Sequence, residues 1–323
     1  MSLFMRKKLG MLLKDSVLLN TLYNAGYKVK NKKKFFMVQE QRKSLSLFDY
    51  KKLADPIPFY PLEFVKDSNF YGQNYWIKNY TGLSHINAAI EHGLYYGDYI
   101  PYTSYCKTVT KILTFSAVRE RVLKKTNKPV IAIGPYIHYV PYLLGEEDFL
   151  NIKKQYGKIL LFFPKHTTRE GGQKFSIETI IDALKNIAVQ YGFQSVFVCM
   201  YYYDILHSNF ASLYEHAGFK VVTAGHQLDL NFLPRLKSII SLADYTVSNA
   251  IGTHTGYCIY MGKVHSIINP INYLDMPQDF IEITKAFLPF SSTIEKKQYD
   301  MVAKYWGIDL LKKPEELKLL LEK

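Results

Sequence analysis

The sequence predicts an α/β protein built from two Rossmann-like domains that face a cleft. Three observations lead there. Short apolar strand-length runs alternate strictly with helix-length segments from residue 158 to residue 268, the pattern of a parallel sheet covered by helices on both faces. The earlier half repeats that alternation less clearly, with strand-like runs at 111–116 and 129–134. A length of 323 residues suits about two domains.

Taken along the chain, apolar clusters alternate with polar ones over residues 3–23, which predicts an amphipathic helix that either packs on the domain by its apolar face, the preferred reading, or lies on a membrane surface. Residues 55–61, rich in proline, read as an extended loop, and 86–90 is compatible with helix. A strand at 111–116 precedes a charged helix at 117–125, and Gly134-Pro135 closes the strand at 129–134. A helix at 149–156 leads into the strand at 158–163. After a polar loop at 164–172, Ser176 caps a helix at 177–191. Strands follow at 195–200, 219–223, 244–248 and 264–268, with helices between them at 205–217, 231–242 and 252–261. Helices at 282–287, 292–306 and 314–322 either finish the second half or cross back to the first. The expected division is 1–145 for an acceptor-side domain and 146–323 for a nucleotide-donor domain.

Composition narrows the class. Hydrophobic residues make up 48% and charged residues 21%, a globular balance. No apolar run reaches the ~18 residues of a membrane span. Arg6-Lys7-Lys8 is followed by an apolar stretch broken at Lys14 and Asp15, so no secretory leader is expected. Cys106, Cys199 and Cys258 are scattered and odd in number, which argues against a disulfide framework and for a reducing, cytoplasmic setting. The formal net charge is +13, with much of the excess before residue 44. That segment is either a solvated surface or a docking element for a polyanion such as nucleic acid or an anionic membrane face.

Familiar phosphate and hydrolase signatures are missing. There is no GxGxxG, no GxxxxGK[ST], no HExxH and no GxSxG. There is also no Asp-x-Asp pair, and the nine histidines lack metal-ligand spacing, so neither a metal nor a cofactor is expected.

Four stretches could carry chemistry, each at a strand end or loop, where ligands of open α/β sheets bind. Glu91-His92-Gly93 sets a carboxylate beside an imidazole, a general-base pairing with a permissive glycine. Residues 164–172 include Lys165, His166, Thr167, Thr168 and Arg169, suited to holding a phosphate. Gly225-His226-Gln227 follows a strand. Finally Ser248-Asn249 and Gly252-Thr253-His254 bring small and hydroxyl residues to a helix start, a ready anion site. Each has a bland counterpart: a loop cap, a solvated loop, an ordinary turn and a tight strand-to-helix turn.

In this order the pieces resemble bacterial GT-B-type glycosyltransferases that build capsule, lipopolysaccharide or teichoic acid. Residues 242–264 are similar to the pattern of an Ala-Asp strand, a Ser-rich turn, a donor-binding helix and a Gly-Lys strand start, with Val264 where proline is usual and His254 where an acid is common. Glu91-His92-Gly93 resembles the His-Gly element of polyol-phosphate and some sugar transferases, and residues 159–167 resemble the opening of their nucleotide-binding half. The resemblance spans roughly residues 76–268. It implies metal-independent, inverting transfer of a sugar from a nucleotide-sugar donor to a glycan or lipid-linked acceptor. His92 or Glu91 would be the base. His166, Thr167, Thr168, Arg169, His226, Ser248, Asn249, Gly252, Thr253 and His254 would hold the donor. It further implies peripheral contact with the anionic inner membrane face and no nucleic acid partner. Transfer of a polyol phosphate from a CDP-glycerol type donor, a nucleotide-sugar epimerase and, less in keeping with the strand-end motifs, a basic nucleic-acid-binding protein are the competing readings.

Overall fold

The structure is a computed structural model, and residues 16–86, 88–167, 176–288 and 290–322 are described. The chain enters through helix α1 (Val17–Lys43) and the short helix α2 (Tyr50–Ala54). Helix α3 (Gln73–Thr81) precedes strand β1 (Ala89–Ile90). Strand β2 (Ile112–Thr114), helix α4 (Ala117–Leu123) and strand β3 (Val130–Ala132) complete a three-stranded parallel sheet in the order β1-β2-β3.

Helix α5 (Glu146–Tyr156) leads to the second sheet. Its strands are β4 (Ile159–Phe163), β5 (Ser195–Cys199), β6 (Lys220–Val222), β7 (Tyr245–Ser248) and β8 (His265–Ile267). The connecting helices are α6 (Ile177–Tyr191), α7 (Tyr202–His207), α8 (Phe210–His216), α9 (Phe232–Leu242) and α10 (Thr253–Tyr260). Helices α11 (Gln278–Phe287), α12 (Lys296–Trp306) and α13 (Pro314–Glu322) end the chain. The five strands are parallel in the order β6-β5-β4-β7-β8. Counted within this unit the order is 3-2-1-4-5, the Rossmann arrangement, with its switch point between β4 and β7.

The apolar run of β4 follows from burial on both faces. Ile159, Leu161 and Phe163 face one core, while Leu160 and Phe162 face the second with Ile177, Ile180 and Leu184 of α6. A period of two sorts the side chains, and both sides need apolar groups. Ser176 caps α6 by accepting from the Thr179 N–H at 3.3 Å, as expected.

Three expectations are corrected. Where helix was expected at 86–90, Ala89–Ile90 form strand β1; an apolar run this short does not declare its period. The single helix expected at 205–217 is two, because Ser208 is extended and its hydroxyl accepts from the Phe210 N–H at 3.3 Å. The entering helix does not pack by its apolar face. Its buried residues are Asn24, Phe35, Gln39 and Arg42, and the part expected at 3–15 lies outside the described residues.

The two ends of the chain cross over. Gln39 of α1 exchanges hydrogen bonds with Leu228 and Leu230 at 3.0 Å each, so the first helix docks on a loop of the five-stranded unit. At the other end Lys111 beside β2 donates to the Leu321 carbonyl at 2.9 Å, and Tyr80 of α3 donates to that of Lys312 at 2.9 Å. The C-terminal helices thus return to the first sheet. Trp306 is fully buried and its indole N–H donates to the Thr253 carbonyl at 3.0 Å. Gly256 makes room for it, since a Cβ there would lie 2.3 Å from the indole. Cys106, Cys199 and Cys258 are buried free thiols.

Candidate functional site

Strand β1 delivers Glu91 and His92 at its carboxyl end. Glu91 is buried and fully engaged. Arg119 of α4 meets it with two nitrogens, at 2.6 and 3.3 Å, and the Thr114 hydroxyl donates to it at 2.6 Å. Such a bidentate buried pair fixes geometry. Arg119 also lies over the Tyr95 ring at 5.5 Å and donates to the Gly97 carbonyl at 3.4 Å. Glu91 therefore braces the loop 91–97 and has little left to offer as a base.

His92 is placed differently. Its Nδ1 lies 3.2 Å from the Tyr95 hydroxyl, and the rings of Phe70 and Tyr71 stand 5.5 and 6.2 Å away. Burial lowers its pKa, against the opposing pull of Asp67 and Glu91. The imidazole is then neutral at pH 7 and able to take a proton.

The loop after β4 is tied down from two sides. The Lys165 N–H donates to Asn249 Oδ1 at 2.7 Å, and Thr167 bonds Asp204 through both its N–H and its hydroxyl. His166 packs on the Tyr201 ring at 4.8 Å, and burial lowers its pKa while Asp204 opposes. Thr168 and Arg169 lie outside the described residues.

The fourth stretch divides into a structural and an available part. The Ser248 hydroxyl donates to the Ala250 carbonyl at 2.9 Å and lies 3.0 Å from His265 Nε2, so it is used inside the fold. Asn249 is wholly buried and orders the neighbouring loop. His254 stacks on Phe163 at 4.6 Å, and burial pushes its pKa down to about 3, which makes it a neutral packing group. Gly252 opens α10, its N–H donating to Thr255 Oγ1 at 3.3 Å; a Cβ there would meet the His254 ring at 2.7 Å. Thr253 is the first residue of α10, where helix N–H groups lack intrahelical partners and the dipole favours an anion.

His226 is committed to its own turn. Its Nδ1 accepts from the Leu228 N–H at 3.1 Å, its backbone N–H donates to the Leu53 carbonyl at 3.0 Å, and burial with Arg42 nearby pushes its ring pKa down to about 4.

Two contacts bring the stretches together. The Leu94 N–H donates to Thr253 Oγ1 at 3.2 Å, joining the His92 loop to the start of α10. The hydroxyls of Tyr71 and Tyr201 lie 3.5 Å apart, so that His92, Tyr71, Tyr201 and His166 form one aromatic wall. Tyr202 extends it to His226 at 4.4 Å. Tyr71 holds a left-handed φ of 59° with its N–H on the Gln227 carbonyl at 2.7 Å. Gly72 packs so closely that a Cβ would lie 2.2 Å from the Leu230 carbonyl oxygen.

The expectations from sequence omit Tyr71, Tyr95, Tyr201 and Asp204. Tyr201 was findable, since it follows the strand expected at 195–200 and sits at a carboxyl strand end like the four chosen stretches. Tyr71 carries no such signal beyond the glycine after it. Among the described residues no cluster of histidine, cysteine or carboxylate groups is placed to hold a metal ion, and no helix is long and apolar enough to cross a membrane.

No family model and no curated protein matches the chain. Solved structures similar to it include a UDP-GlcNAc 2-epimerase from Neisseria meningitidis bound to UDP-GlcNAc, with a TM-score of 0.39 and 16% identity over 74% of this chain and 67% of that one. The wall teichoic acid polymerase TagF gives a TM-score of 0.40 and 12% identity over 67% of this chain, which spans 58% of the polymerase. The UDP-GlcNAc 2-epimerase from Methanocaldococcus jannaschii gives 0.39 and 10% identity, over 74% of this chain and 68% of that one.

Proposed function

We propose that the chain is a GT-B-type glycosyltransferase that moves a sugar from a nucleotide-sugar donor to a glycan or lipid-linked acceptor in the cytoplasm. The observation that supports this most is the Leu94–Thr253 hydrogen bond of 3.2 Å. It places a neutral imidazole loop from one sheet against a helix N-terminus from the other, both at carboxyl strand ends. The units divide at 145/146 in this reading, with 1–145 contributing the acceptor side and 146–323 the donor side.

His92 takes the proton of the acceptor hydroxyl as that oxygen attacks the anomeric carbon. The bond from that carbon to the nucleotide phosphate breaks, and its electron pair leaves on the phosphate oxygen. Attack opposite the leaving group inverts the anomeric centre. A positioned base of this kind is worth about 10²–10⁴ in rate. The charge that collects on the leaving phosphate meets the first N–H groups of α10, the Thr253 hydroxyl and the His166 ring. Glu91 with Arg119, and Asp204 with Thr167, hold the two loops in place.

A thermal-shift series with UDP, GDP, CDP, CMP and their sugar or glycerol conjugates tests the reading, because a ligand of the native state raises its apparent stability. One nucleotide sugar should stabilise the protein, and less so the folded Thr253→Ala and His166→Ala variants. A shift with CDP-glycerol alone would point instead to polyol-phosphate transfer. No shift with any of them at saturating concentration would overturn donor binding.

A further inference from the structure

Helix α1 presents to solvent the side chains a helix ordinarily buries. Leu18, Leu22 and Val29 are 69%, 60% and 87% exposed, and Phe36 is also exposed. At 3.6 residues per turn these four fall within about 40° of one another and make one stripe along the helix. The residues α1 does bury lie on another face and are mostly polar. Asn24 donates to the Phe64 carbonyl at 3.3 Å, Gln39 bonds Leu228 and Leu230, and Arg42 donates to the Leu53 carbonyl at 2.6 Å. The helix is thus anchored to the protein by these hydrogen bonds and by Phe35, which packs with Ile57, Leu228 and Leu230, and its exposed apolar stripe has no cover among the described residues.

The charge beside the stripe names the occupant. The same helical spacing sets Lys32 and Lys33 on opposite sides of it, with Lys30 and Lys34 further round, all exposed. Glu40 is the sole carboxylate on α1, and it is paired to Lys43 at 2.8 Å. An apolar stripe with a lysine margin complements a surface that is apolar within and anionic at its rim. We propose that α1 lies along an anionic lipid bilayer, with Leu18, Leu22, Val29 and Phe36 at the level of the acyl boundary and the lysines at the headgroups. Buried apolar area and electrostatic attraction together set the strength of such binding. A second copy would set the same lysines against these and meet them with like charge. The inference stands apart from sugar transfer.

Co-sedimentation of the full chain with lipid vesicles tests it. The protein should bind vesicles of phosphatidylcholine and phosphatidylglycerol in equal parts, bind phosphatidylcholine alone much less, and loosen as salt is raised. Leu22→Glu with Val29→Glu should weaken binding about tenfold or more, and so should Lys32→Glu with Lys33→Glu. These side chains are exposed, so the melting temperature should hold in both variants and show that the fold is intact. Failure of the wild-type chain to bind anionic vesicles at low salt would overturn the proposal, as would variants that bind like the wild type. A dimer in light scattering that Leu22→Glu with Val29→Glu dissolves, without vesicle binding, would assign the stripe to a second copy instead.

Discussion

The backbone N–H of Leu94 donates to the hydroxyl of Thr253 across 3.2 Å, and through this bond a loop of the three-stranded sheet touches the first turn of a helix on the five-stranded sheet. A Cβ on Gly93 beside it would stand 3.6 Å from the same hydroxyl, an ordinary van der Waals contact, so the bond does not itself demand glycine there. Thr253→Ala removes the acceptor and leaves the N–H half-buried. The cost in stability should be about 1 kcal/mol, and nucleotide affinity should fall about tenfold if the hydroxyl also meets the phosphate. Calorimetric titration of the donor nucleotide, beside a urea melt, measures both.

Glu91 and Arg119 form a buried pair whose halves depend on each other. Glu91→Gln strands a guanidinium in the interior and should cost about 3–5 kcal/mol. Glu91→Leu combined with Arg119→Met should cost clearly less than the two single changes together, because the charge left behind by either alone is gone. A double-mutant cycle in urea reads the coupling. Equal, additive costs would show that the pair does not act as a unit.

Gly256 on α10 is required by its neighbour. Gly256→Ala places a methyl group 2.3 Å from the Trp306 ring, at the point where the C-terminal helices return to the first sheet. Overpacking of this sort costs about 1–3 kcal/mol, and the melting temperature should drop accordingly.

Acid should unfold the protein through its buried histidines. Burial pushes His226 down to about 4 and holds His265 well below its ordinary value. In the unfolded chain both titrate near about 6.5, so below that pH the unfolded state binds protons the folded state refuses. Stability present above that pH is lost as pH falls toward about 4, by at most about 1.4 kcal/mol per pH unit for each ring. The urea midpoint, followed from neutral pH downward, should shift accordingly, and His226→Gln should flatten the dependence.

Much of the second sheet is legible in the sequence because its strands are buried on both faces. A run such as Ile159–Phe163 leaves a five-residue apolar word, and Pro164 marks the turn that follows. Strand β1 is not legible, since two paired residues give no period. Helix α1 misleads for a different reason. Pattern reading assigns the apolar face to the core, whereas Asn24, Gln39 and Arg42, with Phe35 as the one apolar residue, are the residues that dock. In the candidate site, His92, His166 and Thr253 stand out as reactive residue types at strand ends. The tyrosines that join them do not, because Tyr71 and Tyr201 are two among 27 and only the fold sets their hydroxyls 3.5 Å apart. Ser248 and His226 illustrate the reverse case, polar residues at the right strand ends whose hydrogen bonds are used within the fold.

The central claim is that His92 is the base for transfer from a donor held at the start of α10. The most direct measurement is donor consumption in the presence of acceptor by the wild-type chain and by His92→Ala, after both are shown by titration to bind the same nucleotide. The account predicts unchanged nucleotide affinity and a turnover lower by about 10²–10⁴. It also places the acidic limb of the wild-type profile below about 6.5, since burial lowers the pKa of the ring. A His92→Ala protein that binds the nucleotide and turns over like the wild type would contradict it.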